Sequence, residues 1–415
     1  MTGPAVAEAP AVEWLFTRDV SVLLVAGVAY FVMVSLSFPV LPRLIEDELG
    51  GSEAQIGFAF GATALGMLLV RPFVGFLADA YGRRSLMVVG AFVVAALQLA
   101  HVPAAAAGLW PLLGVRFLIG TAASAMYVGQ ATTATELPPQ SRSAEIFSTF
   151  SVAVFVGFAI GPVLGETVLQ RYGFTEAFAA AAVVGGLCGL AGLALPETRP
   201  EGAVARIAGL RGLLHPVAAR AGAVSFLLFA SFIGFTAFAT PYGESLGLDK
   251  VRWVLLAFSL TTLVARALGG RLIASMDRLT LGTAAHATVV VGLAIMIVFD
   301  SVWSLYVGGV VMAAGLAFNV PLMVVVAAES ASPQERSRVV ATVIMFGDLA
   351  SSLGAFGLGL VAEVAGYRGM YSVVLVLAVM AAVLYRSPFM EPVTALRRTA
   401  DRSPDATPTD ATMRP

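Results

Sequence analysis

The sequence predicts an all-α polytopic membrane protein whose twelve transmembrane helices form two related six-helix bundles. Three observations carry this. Of the 415 residues, 58% are hydrophobic and only 12% charged, about half the charged share of a water-soluble domain, about 25%. The charges gather in short segments between apolar runs long enough to cross a bilayer, which takes about 20 residues each. Residues of matching type also recur 193 positions apart in the two halves of the chain. This composition excludes an ordinary soluble enzyme, and the net charge of −1 implies no nucleic-acid partner.

Taken in order, span one covers 20–42. The segment before it carries Glu8 and Glu13 and no basic stretch, so the first apolar run reads as a true span rather than a cleaved signal. Pro39-Val40-Leu41-Pro42 reads as its helix stop. Spans two and three, 54–77 and 85–102, flank a glycine- and arginine-bearing loop, and spans four to six follow at 108–133, 142–169 and 173–195. The second set runs 220–242, 251–274, 279–299, 302–328, 338–362 and 369–388. Membrane strands would alternate in polarity over about 10 residues, whereas these runs are apolar on every face. The single cysteine, Cys188, cannot form an intrachain disulfide, so helix packing must hold the fold.

With the N-terminus inside, seventeen of the 25 basic residues fall in inner segments and five in outer loops. Both termini are therefore expected in the cytoplasm of a cell whose plasma membrane holds the chain. The expected organisation is a cytoplasmic segment 1–16, a bundle 17–195, a cytoplasmic linker 196–219, a bundle 220–390 and a disordered tail 391–415, rich in Pro, Asp and Thr from Thr399. The repeat supports the division: Trp110 and Trp303, Glu136 and Glu329, and Gly161 and Gly354 each stand 193 residues apart. Parallel repeats of six spans enclosing a midplane cavity are the architecture of one large class of secondary transporters.

Three clusters carry a resemblance. The loop after span two reads Gly75-Phe-Leu77-Ala-Asp79-Ala-Tyr-Gly82-Arg83-Arg84, and span five reads Gly157-x-x-x-Gly161-Pro162-x-x-Gly165. The third is the Pro39 to Pro42 element. Together they resemble the G-x-L-a-D-r-x-G-r-k, G-x-x-x-G-P-x-x-G-G and P-V-x-P elements of the major facilitator superfamily, in particular its twelve-span drug:proton antiporters. The resemblance covers residues 17 to 390, with Ala80 and Glu166 standing where the family has Arg and Gly. It implies that Asp79 and Arg83 form a cytoplasmic latch that breaks as the halves rock. On the residues alone, the loop is also a solvated basic turn, and the glycine stripe is also a helix-packing face. The matching site in the second half, Arg266 to Gly270 and then Asp277-Arg278, has Ala274 in place of Asp79 and reads as degenerate.

Ionised side chains in mid-bilayer are rare and face a cavity or a partner. Arg116 lies in Leu112-x-x-x-Arg116-x-x-x-Gly120, which resembles the family's l-x-x-x-R-x-x-q-G element. Helical spacing puts Arg116, Gly120, Ala123, Tyr127 and Gln130 on one face, expected to line the cavity; the other reading is an arginine snorkelling outward. Asp348 is the one carboxylate placed deep in the bilayer. It serves either as a proton carrier, since burial favours a neutral carboxyl, or as the fixed partner of a cationic substrate or an arginine. Arg116 and Asp348 are the proton-coupling candidates, and Tyr30, Tyr127, Gln130, Phe232, Phe235 and Asn319 the substrate-cavity candidates.

No metal or cofactor is implied. His101, His215 and His286 are scattered, and the only lysine, Lys250, follows Asp249, so no Gly-Lys-Ser/Thr phosphate loop can be written. The expected protein is thus a monomeric secondary transporter, not an enzyme, its partners being a small-molecule substrate, protons and the lipid bilayer. It exports small amphipathic compounds in exchange for protons. The alternatives are a proton-coupled importer or uniporter of a polar metabolite such as a sugar, and a receptor or scaffold that moves nothing.

Overall fold

The computed structural model describes residues 16–137, 142–199, 214–329, 331 and 335–390. The expected N-terminal segment up to residue 15, the linker over 200–213 with Arg206 and Arg211, and the tail 391–415 lie outside the described residues. Span one is Arg18–Leu49, span two Glu53–Tyr81, and span three Arg83–Leu99, followed by the short helix His101–Ala106. Spans four to six are Leu109–Glu136, Ser143–Tyr172 and Phe174–Leu193. In the second half, spans seven to ten are Pro216–Ser245, Arg252–Ser275, Arg278–Phe299 and Val302–Glu329. Spans eleven and twelve share one run, Arg336–Arg386, which leaves helical geometry at Gly366 with φ 67° and ψ 177°. Only glycine takes that conformation without strain, so Gly366 makes the turn between them.

Lipid supplies no hydrogen bonds, so each apolar run closes its own backbone as a helix. The ends are set locally. Thr17 accepts from the Val20 amide at 3.3 Å, Asp277 from the Thr280 amide at 3.0 Å, and Pro216 occupies the first turn of span seven. One expected boundary is overturned. Pro39 and Pro42 do not stop span one; both lie inside a helix that continues to Leu49 and ends at Gly50 in the left-handed region, φ 58°. Pro39, Val40, Leu41, Pro42, Leu44 and Ile45 are all buried, and this packing holds the helix together through the missing proline donors.

Span one packs on spans five and six, span three on four and six, span seven on eleven and twelve, and span nine on ten, building a bundle from each half. The bundles are joined mainly by span two with span eleven and span five with span eight, and also by span one with span seven. All termini-side helix ends lie on one face of the molecule, called here the near face; the turn at Gly50 lies on the opposite, far face. The second latch copy proves less degenerate than its sequence suggests. Arg83 donates to the Ala78 carbonyl and pairs with Glu136 at 3.3 Å; 195 residues on, Arg278 donates to the Ile273 carbonyl and pairs with Glu329 at 3.2 Å. Only the acidic position is lost.

Candidate functional site

The charged centre of the molecule lies where the bundles meet. Arg71 of span two and Asp348 of span eleven form an ion pair at 2.5 Å, their side chains 22% and 16% exposed. Each sits ten or more residues in from its near-face helix end, on the order of 15 Å deep. The ring of Tyr127 of span four stacks on Tyr30 at 6.0 Å. The Tyr30 hydroxyl donates to the Ala123 carbonyl at 3.3 Å. Arg266 of span eight places its guanidinium 4.7 Å from the ring centre of Phe155.

Next to this centre an aromatic cleft opens between spans one and five on one side and seven and eight on the other. Phe38, Phe155, Phe158, Phe232 and Phe258 line it, with Pro162, Ser259 and Thr262. Its free interior is about 10 Å³, room for roughly one water molecule, so the rings must part to admit an organic molecule. Phe158 stands edge-on to Phe232 across the bundle boundary at 6.0 Å, and Ser259 donates to the Phe158 carbonyl at 3.1 Å.

Several expected site residues lie elsewhere. Arg116 is buried, 3.4 Å from the Ala59 carbonyl and 5.6 Å from the Phe60 ring centre. It neither snorkels outward nor joins Asp348. The stripe from Arg116 to Gln130 does not line one cavity, because glycine brings the backbones too close. A Cβ on Gly120 would stand 3.0 Å from the Thr63 Cα, pressing that end of span four onto span two. Gln130 donates to the Ala26 carbonyl at 3.2 Å and to Cys188 Sγ at 3.3 Å. Asn319 likewise donates to the Ser225 carbonyl at 3.5 Å, so both amides tie helices within their own bundles. Phe235 is fully buried and stacked on Phe258 at 4.6 Å; of the two phenylalanines expected on span seven, Phe232 alone lines the cleft.

The span-five stripe is a packing face. A Cβ on Gly157 would meet the Val28 carbonyl at 2.8 Å, one on Gly161 the Leu36 amide at 2.8 Å, and one on Gly165 the Leu36 side chain at 3.0 Å. Ser35 donates to the Gly157 carbonyl at 3.1 Å across the same seam. Pro162 reaches the cleft. At the near face, Asp79 pairs with Arg83 at 2.9 Å, and the Arg83 and Arg84 amides donate to Glu197 at 2.8 and 3.2 Å. Gly82, at φ 92°, leaves no room for a Cβ beside that carboxylate, whose Cδ would lie at 2.7 Å. Gly75 faces open space, with nothing within 4 Å of a built Cβ. Asp79 and Arg83 thus bond within the first bundle.

At the far face lies a clamp that sequence reasoning missed. Glu166, fully buried, pairs with Arg43 at 3.4 Å and accepts from Gln170 at 3.0 Å. It also accepts from the Arg252 backbone amide at the start of span eight, in the other bundle. Arg43 reaches across to Glu244, and Gln170 donates to the Asp249 carbonyl at 3.3 Å. On the other interface, Glu363 accepts from Ser52 Oγ at 2.7 Å and from the Ala54 amide at 3.2 Å. Neither span two nor span eight has a side-chain cap of its own, so a carboxylate from the opposite bundle serves each helix N-terminus. The available signal was Glu166 itself, a carboxylate ending an otherwise glycine-lined apolar stripe.

Twelve apolar crossings in two pseudo-repeat bundles, closed at one face around a charged and aromatic centre, define a multi-pass membrane protein of two joined six-helix bundles. The model of the Major Facilitator Superfamily matches residues 23–299 and 224–411. The chain belongs to that superfamily. It is 33% identical over 163 residues to multidrug resistance protein MdtL of Klebsiella pneumoniae, covering 39% of this chain and 40% of that protein. It is 35% identical over 162 residues to the multi-drug resistance efflux pump PmrA homolog of Lactococcus lactis subsp. lactis, covering 38% of each. These matches span about two fifths of the relatives' length. The crystal structure of a D-xylose-proton symporter superposes with TM-score 0.73 at 15% identity, over 90% of this chain and 98% of that one; this likeness is one of fold.

Proposed function

We propose that the protein exports small amphipathic organic compounds in exchange for protons, by alternating access, with the near face and both termini in the cytoplasm of a cell whose plasma membrane it spans. The observation that carries this reading is the Arg71–Asp348 pair, because it joins charges from different bundles inside the membrane. Ionised, Asp348 fastens span eleven to span two; protonated, it gives up the charge that holds Arg71 and lets the bundles part. A proton arriving at Asp348 therefore changes the balance between the two rocking states, which is what coupling requires. The aromatic cleft beside it supports an apolar, shape-tolerant cargo, and the multidrug relatives support the direction of transport.

Asp348→Asn tests this in proteoliposomes with an imposed pH gradient. The variant keeps the volume and a hydrogen-bonding side chain but carries no titratable proton. The expected result is loss of pH-driven flux with protein yield and counterflow exchange of unlabelled for labelled substrate retained. Full pH-driven flux in the variant removes Asp348 from coupling.

A further inference from the structure

The two interfaces between the bundles are copies of each other, and midway along them they differ by one charge. On the first, Arg71 meets Asp348. On the second, Arg266 meets Phe155. Arg266 follows Arg71 by 195 positions and Phe155 precedes Asp348 by 193. The same two offsets relate Arg83 to Arg278 and Glu136 to Glu329, which form matching ion pairs. An aromatic ring therefore stands where the copy has a carboxylate. Among the described residues no carboxylate pairs with Arg266, and its Nε is buried without a hydrogen-bond partner. Phe155, which it overlies, is a wall of the cleft.

We infer that the cargo is an amphipathic organic anion, whose carboxylate or similar oxyanion pairs with Arg266 while its apolar body lies among the rings of the cleft. This names the substrate class for the site proposed above and rests on that reading. An arginine within the membrane demands a counter-charge, and the cation–π contact with Phe155 meets that demand only in part. The guanidinium fork matches an oxyanion in geometry as well as charge. A cationic cargo finds no free anion here: the Asp348 carboxylate is already paired with Arg71, and Arg266 repels it. Arg116 does not compete for the anion, since it lies away from the interface on the Ala59 carbonyl. The cargo would supply on the second interface the charge that Asp348 supplies on the first.

Three probes with one aromatic body and different charge test this on the full chain in nanodiscs: 2-naphthoate, 2-naphthamide and 2-naphthylmethylammonium. Calorimetry should show naphthoate binding roughly ten- to a hundredfold tighter than naphthamide, as a charge-assisted contact gives, with the ammonium weakest. Arg266→Gln should reduce the naphthoate-to-naphthamide ratio to about one and leave naphthamide affinity in place, showing that the variant is folded; Arg266→Lys should restore part of the preference. Phe155→Asp, which gives Arg266 an internal partner, should remove the preference as well. Ammonium binding as tight as naphthoate, no naphthoate binding, or an unchanged ratio in Arg266→Gln overturns the inference. Proton-gradient-driven flux is read separately. Its absence for all three probes, with the naphthoate preference intact, overturns the coupling reading and leaves this one standing. Proton-driven transport of the ammonium alone does the reverse.

Discussion

Replacing Glu166 with glutamine removes one charge from the far-face clamp while preserving size and an acceptor oxygen. The side chain is fully buried and holds the Arg252 amide across the bundle boundary, with Arg43 at 3.4 Å on its own side. A charge-assisted hydrogen bond contributes about 1.5–3 kcal/mol and a neutral one about 0.5–1.5, so the substitution costs roughly 1–1.5 kcal/mol at the Arg252 amide. Loss of the negative charge from the positive end of span eight adds up to about 2 kcal/mol in a partly buried setting. Arg43 keeps Glu244 as a partner, so the first bundle should fold. The combined effect, about 1–3.5 kcal/mol, favours the state open at the far face by roughly five- to 350-fold. Spin labels at Glu48 and Lys250, both exposed and on opposite bundles at that face, would read it as a growing long-distance population in pulsed dipolar spectroscopy. Cys188 is buried and tied to the Ala26 carbonyl at 3.2 Å, so it should take no label. A distance distribution in Glu166→Gln indistinguishable from the parent would show that the clamp does not hold the far face shut.

Two further perturbations address the same cycle. Gly57→Leu should prevent far-face closure, because a Cβ there would stand 2.9 Å from the Gly359 Cα of span eleven; overpacking costs about 1–3 kcal/mol, and the same label pair should shift in the same direction as in Glu166→Gln. Asp79→Asn breaks the pair between a one-third-exposed carboxylate and the buried Arg83, which keeps Glu136 as a partner, so it should slow turnover with little change in substrate affinity; an affinity loss at unchanged turnover would contradict a gating role.

The twelve crossings were legible in the sequence because bilayer thickness fixes both the length and the all-round apolarity of each run. The loop between spans two and three was legible because its charges must lie outside the hydrocarbon. What the sequence concealed are pairings across the molecule. Arg71 reads as one more basic residue near a span end, and nothing local to it specifies Asp348, 277 positions away. Glu166 reads as a departure from a glycine motif, and its partner in the other bundle is a backbone amide, which no side-chain pattern encodes. Arg116 misled for the opposite reason. A charge in mid-span suggests a cavity, yet a backbone carbonyl and an aromatic ring accommodate the guanidinium where span four packs on span two. The Pro39 to Pro42 element misled because proline's effect depends on what surrounds it, and here Pro39 to Pro42 are themselves all buried.

The internal repeat reaches further than the bundles themselves. It also relates the two interfaces between them, and comparing those interfaces position by position separates scaffold from mechanism. Where the first has Gly57 against Gly359, the second has Arg252 and Glu166, at the same offsets of 195 and 193. Where the first has Glu363 on the Ala54 amide, the second has Gln170 on the Asp249 carbonyl, again at those offsets. Contacts present in both copies, such as Arg83 with Glu136 and Arg278 with Glu329, can serve only what both halves need, which is to hold a helix end in its own bundle. A proton site or a cargo site is needed once, so it must lie where the copies differ. Inside the membrane the interfaces differ in charge at Asp348 against Phe155, and toward the far face at Glu166 against Gly359. The first difference leaves one arginine paired and its counterpart open. The second fixes one interface by a charge and the other by close backbone packing. If that logic holds, exchanging the residues between copies, Asp348→Phe together with Phe155→Asp, should move the ion pair to Arg266 and preserve folding, since each bundle keeps its shared contacts. Proton dependence should then follow the carboxylate to span five; equal coupling in a folded double variant that carries Phe155→Asn in place of Phe155→Asp would place the proton elsewhere.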